Sequence, residues 1–112
     1  MKELIEYLDS RIEEGRSEIV RLSTEGRKDD ANFAKVRTNI YDVCKTVTQT
    51  LLNRPGAGAE ALNAQFERFR TLWGAALDKA RQHQDVSAEA VEEIKLAALE
   101  DVITHFREVT DE

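Results

Sequence analysis

Apolar residues recur at alternating steps of three and four along most of the chain. The repeat occupies four segments, approximately residues 4–24, 30–52, 59–83 and 88–109, and most positions between the apolar ones are charged or polar. This spacing places the apolar side chains on one side of an α-helix, so it predicts four amphipathic helices. The repeated residues are Ile5, Leu8, Ile12, Ile19 and Leu22; Phe33, Val36, Ile40, Val43, Val47 and Leu51; Leu62, Phe66, Phe69, Trp73, Ala76 and Ala80; and Val91, Ile94, Ala98, Val102, Phe106 and Val109.

Two of the segment boundaries carry residues that end or begin helices. Residues 53–58 contain the single proline, Pro55, followed by two glycines, and the residue before a proline avoids helical backbone angles. Ser87 is the expected N-cap of the last helix, with Val86 and Val91 placed to form a hydrophobic staple around its first turn.

The first boundary allows two interpretations. Gly26 suits the end of a helix, and Asp29 or Asp30 can cap the next one, which predicts a turn. The apolar repeat of the first segment, however, runs in phase into the second, so one helix of about 50 residues packed on a partner chain is the alternative. The turn is favoured, because that long helix would hold a glycine and an aspartate at successive apolar positions.

Helices of this length joined by short connections predict an antiparallel, up-down-up-down four-helix bundle. The 112 residues are expected to form a single all-α domain. In this topology the first helix lies beside the fourth.

The net charge of −6 is unevenly distributed. Residues 1–25 hold four basic and seven acidic side chains, and residues 85–112 hold two and nine. The two central stretches, 26–54 and 55–84, are mildly basic. The first and fourth helices would therefore repel each other, and no stretch has the dense positive charge typical of nucleic-acid binding.

The fourth helix has the widest apolar surface. Its apolar residues span an arc of about 200°, against about 100° for a helix with one buried side. It is therefore either buried against two neighbours or in contact with another subunit. We expect a homo-oligomer, with Leu96, Leu99 and Ile103 as the candidate contact residues.

Few side chains suggest chemistry. Cys44 lies among apolar neighbours of the second helix and is expected to be an unreactive core residue. His83 falls at the end of the third helix, and His105 at the edge of the apolar arc of the fourth. Asp101 and His105 are four residues apart and could share a metal ion, but two ligands make a weak site, so we predict no catalytic, cofactor or metal site.

The stretch from Phe66 to Trp73 alternates aromatic residues with arginines, an arrangement also found in surfaces that stack on bases. On a helical projection Phe66, Phe69 and Trp73 fall within about 60°, while Arg68 and Arg70 project to the sides. The aromatic residues are therefore expected in the core, and nucleic-acid binding is only a distant alternative.

Four acidic residues form a spaced pattern, Glu89-x-x-Glu92 followed by Glu108-x-x-Asp111. The pattern resembles that of the all-α nucleotide pyrophosphatases of the MazG type. The resemblance implies carboxylates that hold magnesium against the phosphates of a nucleotide. Here both halves of the pattern lie on one helix, about 24 Å apart, whereas in that family they come from facing helices.

The sequence therefore favours a small, non-enzymatic helical bundle that works as a protein–protein interaction or regulatory module. A metal-dependent or ligand-binding bundle is the alternative. The first residues, Met1–Glu6, do not resemble a signal peptide, and a lone cysteine suits a reducing compartment, so a cytoplasmic location is expected, with no membrane partner.

Overall fold

The computed structural model describes residues 1–110 and contains four helices. They are α1 (Lys2–Thr24), α2 (Lys28–Leu52), α3 (Ala59–Gln82) and α4 (Val86–Thr110). Each boundary lies within two residues of its predicted position, and no strand occurs in the described range. The predicted all-α four-helix fold is confirmed.

The α1–α2 connection is a turn, which rules out the single long helix. Gly26 adopts the left-handed backbone conformation, with φ of +74°, and the Arg27 amide donates to the Leu22 carbonyl at 2.9 Å. This bond satisfies a carbonyl that has no partner inside the helix. The predicted caps are wrong: Asp29 and Asp30 lie inside the first turn of α2, which begins without a side-chain cap.

The α3–α4 connection also passes through a residue with positive φ, Gln84 at +54°. Asp85 then caps α4, since its Oδ1 accepts the Ala88 amide at 3.1 Å. The prediction that Ser87 is the cap was wrong by two positions. The predicted staple is also wrong, because Val86 is 76% exposed.

The helices pack as a flattened bundle with overall dimensions of 45 × 35 × 22 Å. α1 packs antiparallel along α2, and α3 antiparallel along α4, while α2 and α4 pack on each other between the two hairpins. α1 meets α4, and α2 meets α3, over short stretches only. In cross-section, α2 and α4 therefore lie at the centre of the bundle, with α1 and α3 on the outside. α1 lies beside α4, as predicted, over a short stretch only.

The main core joins all four helices in the half of the molecule that holds residues 53–58. Its buried members are Leu4, Leu8, Ile12, Ile40, Tyr41, Cys44, Leu62, Phe66, Ala98, Leu99, Val102, Ile103 and Phe106. Leu99 and Ile103 are 0% and 1% exposed, so they cannot contact a second subunit as proposed from the sequence. The wide arc of α4 is instead buried against two neighbours, α2 and α3.

The opposite end of the α1–α2 hairpin has a small core of its own. Leu22, Ala31 and Ala34 are buried there, with Ile19 packed against them. Small side chains let the two helices approach closely at this end. None of the four described helices is both long and apolar enough to cross a membrane.

Candidate functional site

The α1–α4 interface contains the most organised polar group of the molecule, which we call the tyrosine–aspartate cluster: Tyr7, Arg11, Tyr41 and Asp101. The Tyr7 hydroxyl donates to Asp101 Oδ2 at 2.6 Å, and the Tyr41 hydroxyl donates to the same oxygen at 2.7 Å. Arg11 donates to the Tyr41 hydroxyl at 3.1 Å. One carboxylate on α4 therefore ties down both α1 and α2.

The electrostatics of the cluster keep both phenols protonated. Burial, followed by the hydrogen bond to Asp101, raises the pKa of Tyr41 to about 12. The same two causes raise the pKa of Tyr7 well above the usual range. A neutral phenol can donate a hydrogen bond to a carboxylate, so the tyrosine–aspartate cluster holds α1 and α2 to α4.

The Asp101–His105 pair noted in the sequence is part of this arrangement. The His105 ring stacks on the Tyr7 ring, with centroids 3.8 Å apart and planes 11° from parallel. Asp101 Oδ2 already accepts two hydroxyl protons, as described above. Within residues 1–110, no group of three or more histidine, cysteine or acidic side chains could hold a metal ion.

The acidic pattern that resembles nucleotide pyrophosphatases is not gathered into one place. Glu89 lies 3.3 Å from Arg81, and the Glu92 carboxylate lies 3.2 Å from the Lys95 ammonium. Glu108 is exposed near the far end of α4, and Asp111 is outside the described residues. The described part of the pattern thus forms ion pairs with local cations.

The other candidate residues occupy ordinary structural positions. Cys44 is fully buried, and burial raises the pKa of its thiol to about 12, which disfavours the reactive thiolate. His83 is an exposed residue at the end of α3. Phe66 is in the core as predicted, whereas Phe69 and Trp73 are only half-buried at its edge.

The second surface of interest lies where α2 and α3 diverge, and we call it the α2–α3 face: Val36, Val43 and Val47 on α2, with Phe69, Leu72 and Ala76 on α3. All belong to the apolar stripes seen in the sequence except Leu72, and none is fully buried. Leu72 is 57% exposed.

The connecting end of this face is an open groove. Its walls are made by the end of α2 and the beginning of α3, namely by Thr46, Val47, Thr50, Leu51, Arg54 and Gln65. Gln65 and Phe69 are four residues apart on α3, so they share one side of that helix. The side of α3 that bears Phe69 therefore looks toward α2 across the gap.

A half-buried ion pair lies on α4 next to α3. Lys95 Nζ donates to Glu92 Oε1 at 3.2 Å and lies 5.0 Å from the centre of the Trp73 ring. Glu92 and Lys95 share the side of α4 that carries Leu99 and Phe106 farther along, because all four are spaced by three, four or seven residues. The core-facing side of α4 is thus polar in its first half, where α2 and α3 are apart.

Sequence reasoning missed both features for the same reason. The residues of the tyrosine–aspartate cluster come from three helices, and Tyr7 and Asp101 are 94 positions apart. Only the four-residue spacing of Tyr7 and Arg11 on one helix was available as a signal. The apolar stripes of α2 and α3 were recognised, but burial of both was assumed.

Comparison of the chain with protein-family models, curated proteins and solved structures finds no match.

Proposed function

We propose that this protein is a non-enzymatic interaction module and that it binds other protein chains through the α2–α3 face. The observation that supports the proposal is the set of half-buried and exposed apolar side chains along two diverging helices, with Leu72 at 57% exposure. Contiguous exposed apolar surface commonly marks a site of protein contact, because covering it removes apolar area from water. The other large exposed apolar residues are single positions on separate elements: Val20 on α1, Leu52 at the end of α2 and Val86 at the start of α4.

Self-association is a second candidate, since a second copy would also cover this face. It would not use Leu99 or Ile103, which are in the core, and Leu96 alone of the three is partly exposed. We place the module in the cytoplasm, and the lone, buried Cys44 is consistent with a reducing compartment.

A pair of matched variants tests the use of the face. Tagged wild-type protein, Leu72→Asp and Val20→Asp are copurified from the native cell, and the mass of each recovered complex is measured. Both substitutions place a charge at an exposed apolar position of a helix, so their effects on folding should be equally small. Loss of the complex in Leu72→Asp, with retention in Val20→Asp, is expected. Equal recovery with all three proteins would contradict the proposal.

A further inference from the structure

The charged residues around the α2–α3 face are almost all of one sign. Most cations of residues 1–110 lie within 4.0 Å of an acidic group. Those in this range without such a partner are Arg16, Lys28, Lys35, Arg54, Arg68 and Lys79. All but Arg16 belong to α2, α3 or the connection between them.

Three of these cations border the apolar residues directly. Arg68 and Lys79 are four positions before and seven after Leu72, so at 100° per residue they fall within about 40° of it. Arg54, in the connection just after the end of α2, lines the same groove as Val47.

Most acidic side chains of the same two helices lie elsewhere, although Asp29, seven positions before Val36, is on the same side of α2 beyond the far end of the face. On α3, Glu60, Glu67 and Asp78 are about 120° or more around the helix from Leu72. On α2, Asp42 lies on the side of α1, in a groove with Asp9 and Lys45. A protein with a net charge of −6 thus presents an apolar face with a cationic border.

We propose that the occupant of this face is an acidic amphipathic helix of a partner protein. This inference rests on the proposed function and specifies its partner. A helix that lies between two diverging helices contacts them with apolar residues spaced at three, four and seven positions. Its flanks would then face Arg54, Arg68 and Lys79, which have no acidic partner within residues 1–110, so glutamate or aspartate there completes the charge pairing. From Val36 to its end at Leu52, α2 is about 24 Å long, which a partner helix of about 16 to 18 residues can follow.

A second copy of this chain fits less well. Two α2–α3 faces in contact would bring their cations together. α1 is an acidic helix, but the apolar residues of its predicted stripe are used against α2 and the core, and only Val20 is strongly exposed. α1 of a folded second copy therefore does not offer both an apolar stripe and acidic flanks.

The test uses two synthetic 18-residue helical peptides with identical leucine anchors, one with glutamate and one with lysine at the flanking positions. Binding is followed by the fluorescence of Trp73, the single tryptophan of the chain, which lies at the edge of the face. We expect the glutamate peptide to bind at least about tenfold more tightly, because like charges at an interface oppose association. Its affinity should fall as sodium chloride rises from about 50 to about 500 mM, because salt screens exposed charge pairs.

Charge reversal on the protein provides the matched control. Arg68→Glu combined with Lys79→Glu should reverse the preference, so that the lysine peptide binds more tightly. Arg16→Glu, which reverses an exposed cation of α1, should leave both affinities within about twofold, because the change lies away from the face. Equal binding of the two peptides, or no binding of the glutamate peptide, would overturn the acidic-helix proposal.

Light scattering separates failure of this inference from failure of the proposed function. The protein could prove to be a dimer that dissociates in the Leu72→Asp variant but not in the Val20→Asp variant. The α2–α3 face would then be an interaction face, but its occupant would be a second copy of this chain. That outcome would overturn the acidic-helix partner alone. A monomer that binds the glutamate peptide, with binding lost in Leu72→Asp, supports both.

Discussion

The two outer helices, α1 and α3, each pack along one central helix but are held in different ways. α1 packs along α2 and is also tied to α4 by the tyrosine–aspartate cluster. α3 packs along α4, and its other side faces α2 across the apolar, partly open α2–α3 face. The hydrogen bonds of the tyrosine–aspartate cluster close the α1–α4 interface, whereas exposed apolar surface remains at the α2–α3 interface. This difference is the basis of our proposal that the α2–α3 face, unlike the α1–α4 interface, binds a partner.

The glycines of the two helices follow the same division. A side chain at Gly15 of α1 would place its Cβ 3.0 Å from both Cβ and Cγ2 of Thr38, so α1 and α2 are in close contact there. A Cβ at Gly74 of α3 would meet nothing within 4 Å. The Gly15 position therefore serves close packing, whereas Gly74 only weakens its helix.

The largest effect on stability is expected when the tyrosine–aspartate cluster loses Asp101. Asp101→Ala leaves the Tyr7 and Tyr41 hydroxyls without their shared acceptor, and it should lower the free energy of unfolding by about 3 kcal/mol. Chemical denaturation followed by circular dichroism measures the loss. Asp78→Ala, which removes an exposed aspartate of α3, is the control and should change stability by less than about 0.5 kcal/mol. A similar, small loss in both variants would mean that α1 is held by apolar packing alone.

The ionisation of the two tyrosines tests the same interface with no substitution. The chain has only Tyr7 and Tyr41, and both belong to the cluster. In the folded protein, Tyr41 should ionise at about pH 12 and Tyr7 still higher, whereas in denaturant both should ionise near pH 10. Phenolate absorbance, recorded together with the helical circular dichroism signal, measures both transitions.

The sign of the pH dependence follows from these values. Below about pH 10, the folded and unfolded chains both keep their phenol protons, so the stabilisation is fully present. Between about pH 10 and 12, the unfolded chain releases protons that the folded chain retains. Stability should therefore fall as pH rises through this range. Phenolate formation near pH 10 with an unchanged helical signal would contradict the hydrogen bonds described for the tyrosine–aspartate cluster.

The smallest effects are expected at the two glycines, and they should have opposite signs. Gly15→Ala forces α1 away from Thr38 and should destabilise the protein by about 2 kcal/mol. Gly74→Ala adds helix propensity in open space and should stabilise it by about 1 kcal/mol. Thermal or chemical denaturation measures both. Adding Thr38→Ala to Gly15→Ala should recover part of the loss, and stabilisation by Gly15→Ala would show that α1 and α2 are not in close contact there.

Much of the fold could be predicted because helices are encoded locally. The spacing of apolar residues gave the four helices, and Gly26 and Pro55 marked two of the connections. Capping was predicted less well, since Asp85 rather than Ser87 caps α4. The chain leaves α3 through Gln84 in a left-handed conformation, which a glutamine in the sequence does not predict.

The candidate surfaces could be predicted only in part. Val36, Val43 and Phe69 were recognised as members of apolar stripes. The spacing of apolar residues along the sequence is the same, however, whether or not another helix covers the stripe. Leu99 and Ile103 illustrate the reverse error, since residues assigned to an outer surface are buried between α4 and its neighbours.

The sequence by itself determined the class of the protein, the number and length of its helices, and the side of each helix that is apolar. These properties depend on residues within one or two turns of each other. Only the tertiary structure decided that α2 packs on α4, that Tyr7 reaches Asp101, and that Leu72 and its neighbours stay uncovered. Such pairings depend on how entire helix surfaces fit together, and that is a property of distant segments that no local spacing records.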